Sequence, residues 1–187
     1  MTTRVLGESL TILSPVSISV RESLQDDFTI TDFSFEKQDS TKSIVPIIGS
    51  KGKGFVDGLF EGLGDHFSKS YTSLSKIKLL DISVNPLMSD HRRSMATDAQ
   101  AEVSFTVEVG GRGRAQFDHT SRSMIYSSFV VALNAFQFYI NCERSFDKII
   151  LALEDAESRN RSDIAESCKY DLSRLTEINN YEKKKKN

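Results

Sequence analysis

The stretch Ala96–Asn134 constrains this chain more than any other. Within it Val103, Phe105, Val107 and Val109 alternate with Ser104, Thr106 and Glu108, the period of a strand with one buried face. Gly110-Gly111 turns the chain, and Arg112 to His119 returns it. Thr120-Ser121-Arg122-Ser123 then offers hydroxyl caps before Met124, Ile125, Phe129, Ala132, Leu133 and Phe136, apolar residues at helical spacing. A strand hairpin feeds a helix whose start points at open space.

The residues before it repeat that logic. Met1–Glu8 reads as a loose arm, and Leu10–Val20 as a strand that Pro15 confines to an edge or breaks at a bulge. Phe28–Lys37 reads as a second strand. Phe28 and Ile30 differ in parity from Phe33 and Phe35, and a bulge near Asp32 reconciles them. Ser43–Ile48 makes a third strand, and Gly49-Ser50-Lys51-Gly52-Lys53-Gly54 leads into a helix marked by Val56, Leu59, Phe60, Leu63 and Phe67. Gly58, Gly62 and Gly64 weaken that helix by about 1 kcal/mol each relative to alanine. Close approach of another backbone is the expected compensation.

Ser68–Ser75 connects to a strand at Ile77–Val84, and Asn85–Met95 loops into the hairpin. The order strand, strand, strand, helix thus occurs twice. The expected fold is α+β, two repeated β-β-β-α units with pseudo-twofold symmetry: unit one over 10–68, unit two over 76–141, after an arm at 1–9. A helical extension over 142–187 follows, with helices at Ser145–Glu157 and Asp163–Ile178 and a solvated lysine tail at Lys183–Lys186.

Charge and composition remove several function classes. Twenty-four basic against 26 acidic residues leave a net charge of -2, no basis for nucleic acid or an anionic membrane as a main partner. Apolar runs fall short of a membrane span and no signal peptide opens the chain, so a cytoplasmic protein is expected. Cys142 and Cys168 lack metal spacing and read as packing thiols. Only His66, His91 and His119 exist, without a His-x-His pair, so no metal site is expected. His119 beside Asp118 has no nucleophile, and no catalytic residue is assigned. The glycine turn lacks the Gly-Lys-Ser/Thr of a phosphate loop.

Ala96-Thr97-Asp98-Ala99-Gln100-Ala101-Glu102-Val103 and Ser121–Ser128 with Ala132–Ala135 resemble the C-terminal regulatory domain of 2-isopropylmalate synthase and citramalate synthase. Gly52–Phe60 is similar to the family's glycine turn, and Leu79–Val84 to its strand between units. The resemblance implies a homodimer that binds an end-product amino acid, leucine or isoleucine, and exerts feedback control of branched-chain amino acid biosynthesis. The regulated partner would be a separate synthase subunit, because the family's metal-binding catalytic barrel is not in this sequence. The chain therefore reads as non-enzymatic and without a cofactor. Departures are Phe55 for a proline, Ser123 for an acidic residue, Tyr126 for a glutamate and Phe129 for a small residue.

An amino-acid effector needs three kinds of partner. Helix-start N–H groups around Gly52, Gly54, Phe55 and Val56, and around Thr120 and Ser121, suit its carboxylate. Asp57, Asp81 or Asp98 suits its ammonium, Val56, Leu59, Ile82 and Val84 its side chain, and Thr97, Asp98 and Ala99 belong to the resembling segment. The alternative is an interaction module that keeps the dimer scaffold without the pocket and binds a protein through the helices after Glu143. Nucleic-acid binding through the arginine turns and lysine tail is a third, weaker reading.

Overall fold

Val103, Phe105, Val107 and Val109 are all fully buried, so the alternation in the hairpin is the inner face of a sheet. The structure, a computed structural model, describes residues 1–39, 41–87 and 99–178. Unit one consists of β1 (Ile12–Ser23), β2 (Phe28–Gln38), β3 (Lys42–Gly52) and α2 (Phe55–Phe67), preceded by α1 (Thr2–Leu6). Unit two consists of β4 (Ile77–Leu87), β5 (Gln100–Val109), β6 (Arg112–Ser121) and α3 (Met124–Ser158), followed by α4 (Ser162–Ile178). Each unit forms its own three-stranded antiparallel sheet, with β2 and β5 in the middle. The expected α+β fold of two β-β-β-α units with C-terminal helices is what the chain adopts.

The first two strands of the units match in register. Ile18 pairs with Phe33 and Val20 with Thr31, as Ile82 pairs with Phe105 and Val84 with Val103. Both first strands carry a bulge, at Val16 beside Pro15 and at Leu80, and both turn the extra side chain towards solvent. Gly54 then falls on Ser123, Gly58 on Ser127, Phe60 on Phe129 and Phe67 on Phe136.

The two helices form a layer between the sheets, each touching both. α2 packs on β2 and β3, while its Phe60 lies 5.8 Å from Phe105 of β5, centroid to centroid. α3 packs on β5, β6 and β1, and its Phe129 lies 5.4 Å from Phe33 of β2. A helix enclosed by two sheets must be apolar nearly all round, and from Phe129 to Ile140 α3 is buried on successive faces. One continuous core results.

Four expectations need correction. The N-terminal arm is ordered as α1, because Leu6 is buried, Val5 packs on the C-terminal helices and Arg4 pairs with Asp171 of α4. Ser145–Glu157 is not a separate helix but the second half of α3, which runs unbroken through the proposed boundary at residue 142. Polar Asn141 and Glu143 hide that continuity in the sequence, and both are buried because they bond to other segments. The parity of β2 does not shift. Thr29, Thr31, Phe33 and Phe35 share the inner face, Phe28 and Ile30 lie outside, and the extra residue sits in β3 near Gly49. The Asp32 carboxylate accepts the Gly49 N–H at 2.7 Å and fixes the bulge, with Gly49 at a φ of 74°. Finally, β3 runs on through Ser50 and Lys51 to Gly52, so the glycine-rich turn is mostly strand.

Candidate functional site

α2 starts against the sheet with almost no clearance. A Cβ on Gly52 would meet the Gly58 nitrogen at 2.4 Å, and one on Gly58 would meet Thr31 Oγ1 at 2.8 Å. A Cβ on Gly62 would meet Ile47, Ser50 and Phe33 at 2.9 to 3.0 Å. Gly58 and Gly62 thus owe their presence to close packing, mainly against side chains rather than backbone. Gly54 is the N-cap and has no side chain to cap with. Asp57, in the first turn, reaches back instead, its Oδ2 accepting the Lys53 N–H at 3.0 Å ahead of the N-cap, and Ser50 Oγ donates to the Gly58 carbonyl at 2.7 Å. The helix start therefore already holds a carboxylate of its own, which favours a cationic over an anionic visitor there. Phe55 and Val56 are half-buried beside it, and Leu59 is fully enclosed in the core.

The other proposed residues lie on sheet B, formed by β4, β5 and β6. Ile82 and Val84 face the same side as their buried partners Phe105 and Val103, yet remain 45% and 43% exposed. Ser121 lies on that side, whereas Thr120 and Asp81 lie on the outer one. Ala99 precedes β5. Thr97 and Asp98 lie outside the described residues, as does most of the loop after Leu87.

Around the start of α3 the structure assembles a polar cluster. Ser127 Oγ, buried, is 2.7 Å from Ser121 Oγ and 3.2 Å from His119 Nδ1. Ser123 caps as expected, accepting the Tyr126 N–H at 3.2 Å, and the Tyr126 ring stands edge-on to His119 at 5.5 Å. Phe129, a departure from the resembled pattern, is a core residue between helix and sheet. The Ser127 hydroxyl occupies the place of Gly58 in unit one, so the two helix starts are built by different chemistry on the same backbone plan.

A feature missed in the sequence lies between α2 and β4. An open groove of about 520 Å³ is lined by Asp57, Glu61 and Asp65 of α2, by Lys78 of β4, and by the apolar Phe60 and Leu79. Spacing of four along a helix places the three carboxylates in one row. The signal was present as Asp57, Glu61 and Asp65, but only the position of β4 turns it into a groove. At one end the connector is held by Glu143 of α3, which is buried and accepts the Thr72 and Ser73 N–H groups at 3.2 and 3.1 Å and the Ser73 hydroxyl at 2.5 Å.

Two groups have displaced acidities. Burial, with Lys37 and Lys69 nearby, holds His66 below its ordinary value near 6.5. Burial, reinforced by Cys142 and Glu108, pushes the Tyr139 phenol up to about 12. Both are packing features: His66 lies edge-on to Phe67 at 4.8 Å, and Tyr139 is sealed in the core. Among the described residues no helix is long and apolar enough to cross a membrane, and no His, Cys, Asp and Glu side chains gather as metal ligands. No model of a known protein family matches this chain, and no curated protein does.

Proposed function

We propose that the chain is a non-catalytic regulatory-type module that dimerises and takes a branched-chain amino acid, leucine or isoleucine, at the open end of sheet B. Feedback control of branched-chain amino acid synthesis is the role this reading gives it. The observation that carries the reading is the exposed pair Ile82 and Val84 beside the fully buried Phe105 and Val103 on one face of sheet B. An aliphatic row of this kind, on the sheet face that also carries the Ser121, Ser127 and His119 cluster, suits a ligand with an aliphatic side chain and two polar ends. A second copy laid over that face would enclose it.

Thermal unfolding with leucine, isoleucine and valine tests this. A ligand at a hundred times its Kd stabilises by about 2.7 kcal/mol, and Val84→Asp should abolish the response. Unchanged melting with all three amino acids would remove the reading.

The competing reading is a protein-interaction module without a ligand. The Asp57 carboxylate favours it, since its charge stands in the first turn of α2 and repels an effector carboxylate at that helix start. On this reading Val84→Asp weakens self-association in sedimentation while amino acids have no effect on melting.

A further inference from the structure

Two three-stranded sheets leave four edge strands, and three of these are closed in the same way. The chain has three prolines, and one falls on each of β1, β3 and β4: Pro15, Pro46 and Pro86. The same three strands carry bulges, at Val16, near Gly49 and at Leu80. A proline withholds a ladder donor and a bulge twists the strand, so each of these edges resists the addition of another strand.

β6, the fourth edge, has no proline. Its bulge, Gly113 and Arg114 against Glu108, sits at the hairpin end, and from Ala115 to Ser121 it pairs with β5 without a break. Gln116 takes the place that Pro46 has in β3, since Thr106 pairs with Gln116 as Ser34 pairs with Pro46. The free side of β6 therefore offers its backbone N–H and C=O groups to a further strand. Arg114, Gln116, Asp118 and Thr120 are exposed along it, and Ala115, Phe117 and His119 are half-buried on the inner side.

We infer that β6 pairs antiparallel with β6 of a second copy, about a two-fold axis at Gln116, joining two copies of sheet B into one continuous sheet. The charges select this register. Inner face stays with inner face only where even-numbered residues stand opposite even-numbered ones. Centred on Gln116, Arg114 of each copy stands opposite Asp118 of the other, and Ala115 opposite Phe117. Centred on Asp118, two carboxylates would face each other, and centred on Arg114, two guanidinium groups. Opposite charges across a strand pair stabilise it and like charges oppose it. Both groups are available. Arg114 is 74% exposed although it lies 3.7 Å from Glu108, and Asp118 faces Ser104 across β5 with no ion pair among the described residues. α4, packed on α3, also touches β6 and flanks the contact. Such an interface is self-complementary, as a closed two-fold pair requires. The row of Ile82 and Val84 proposed for the amino acid lies on β4, the opposite edge of sheet B.

Sedimentation of the full chain at up to about 1 mM tests the inference. The parent should self-associate, and Arg114→Asp and Asp118→Arg should each weaken association at least tenfold with unchanged circular dichroism. An equimolar mixture of the two variants should associate close to parental strength, because only the mixed pair restores opposite charges. A Cys168→Ser background leaves the buried Cys142 as the native thiol. In that background, oxidation of Arg114→Cys, Gln116→Cys, Asp118→Cys and Thr120→Cys should link copies fastest at 116, where the residue meets its own counterpart. A chain that stays monomeric, a mixture no tighter than either variant alone, or fastest linking at another position overturns the inference. Leucine-dependent melting is untouched by these outcomes and decides the amino-acid reading by itself.

Discussion

Phe129 of α3 stands edge-on to Phe33 of β2, its ring centroid 5.4 Å away, so a residue of unit two completes the core of unit one. Phe60 of α2 makes the reciprocal contact with Phe105 of β5. The units exchange aromatic side chains across the helix layer, and neither sheet is covered by its own helix alone. Phe129→Ala should therefore cost about 3–5 kcal/mol, the range for a buried phenylalanine, and leave a single cooperative transition in urea. Two separate transitions would show that the units fold independently.

The helical glycines divide by what surrounds them. Gly62→Ala forces a methyl against Ile47, Ser50 and Phe33, and Gly58→Ala forces one against the Thr31 hydroxyl. Both should destabilise, by about 1–3 kcal/mol as overpacked sites do. Gly64→Ala faces open space and should stabilise by about 1 kcal/mol. Urea unfolding of the three variants checks the ordering, and an unstable Gly64→Ala would contradict the groove geometry.

Glu143 holds three hydrogen bonds from Thr72 and Ser73 in a buried position. Glu143→Ala leaves donors without an acceptor, at a cost of about 1–3 kcal/mol for each group left unsatisfied. Amide hydrogen exchange at Thr72 and Ser73 should accelerate by more than exchange in β5. Uniform acceleration would mean that Glu143 acts only on global stability.

His66 sets a pH dependence of definite sign. Its acidity in the folded chain is displaced below the ordinary value near 6.5, so the unfolded chain takes up the proton first as pH falls. Its contribution is complete above pH 6.5 and is lost as pH falls through the folded value. His66→Gln should flatten that part of the stability profile between pH 7.5 and 5. An unchanged slope would place the loss on other groups.

Sequence reasoning succeeded where burial is periodic and local. The Val103–Val109 alternation, the Gly110-Gly111 turn with both residues at positive φ, and the Ser123 cap all follow from near neighbours. It failed at α3, where Asn141, Glu143 and Ser145 interrupt the apolar pattern. Asn141 and Glu143 are tolerated inside because Thr11, Thr72 and Ser73, distant in sequence, bond to them. It failed at β2 as well, where Thr29 and Thr31 take the inner face although Phe28 and Ile30 are more apolar, because glycines bring α2 onto that end of the sheet.

Of the candidate site, the sequence identified the pieces but not their grouping. Gly52 to Asp57 gather at one helix start, Ile82, Val84 and Ser121 share one face of sheet B, and Thr120 and Asp81 face the other way. A strand's parity is readable only after its register is known, and a single bulge reverses it.

Hydrophobic period and turn chemistry act over a few residues, and they are enough to set out the two β-β-β-α units. It took the packing of distant segments to set the helices between the sheets, to bury Leu133 of α3 and to leave Gly64 of α2 facing an open groove. Those outcomes depend on volumes brought together from distant parts of the chain, and no local pattern encodes whether two such volumes match.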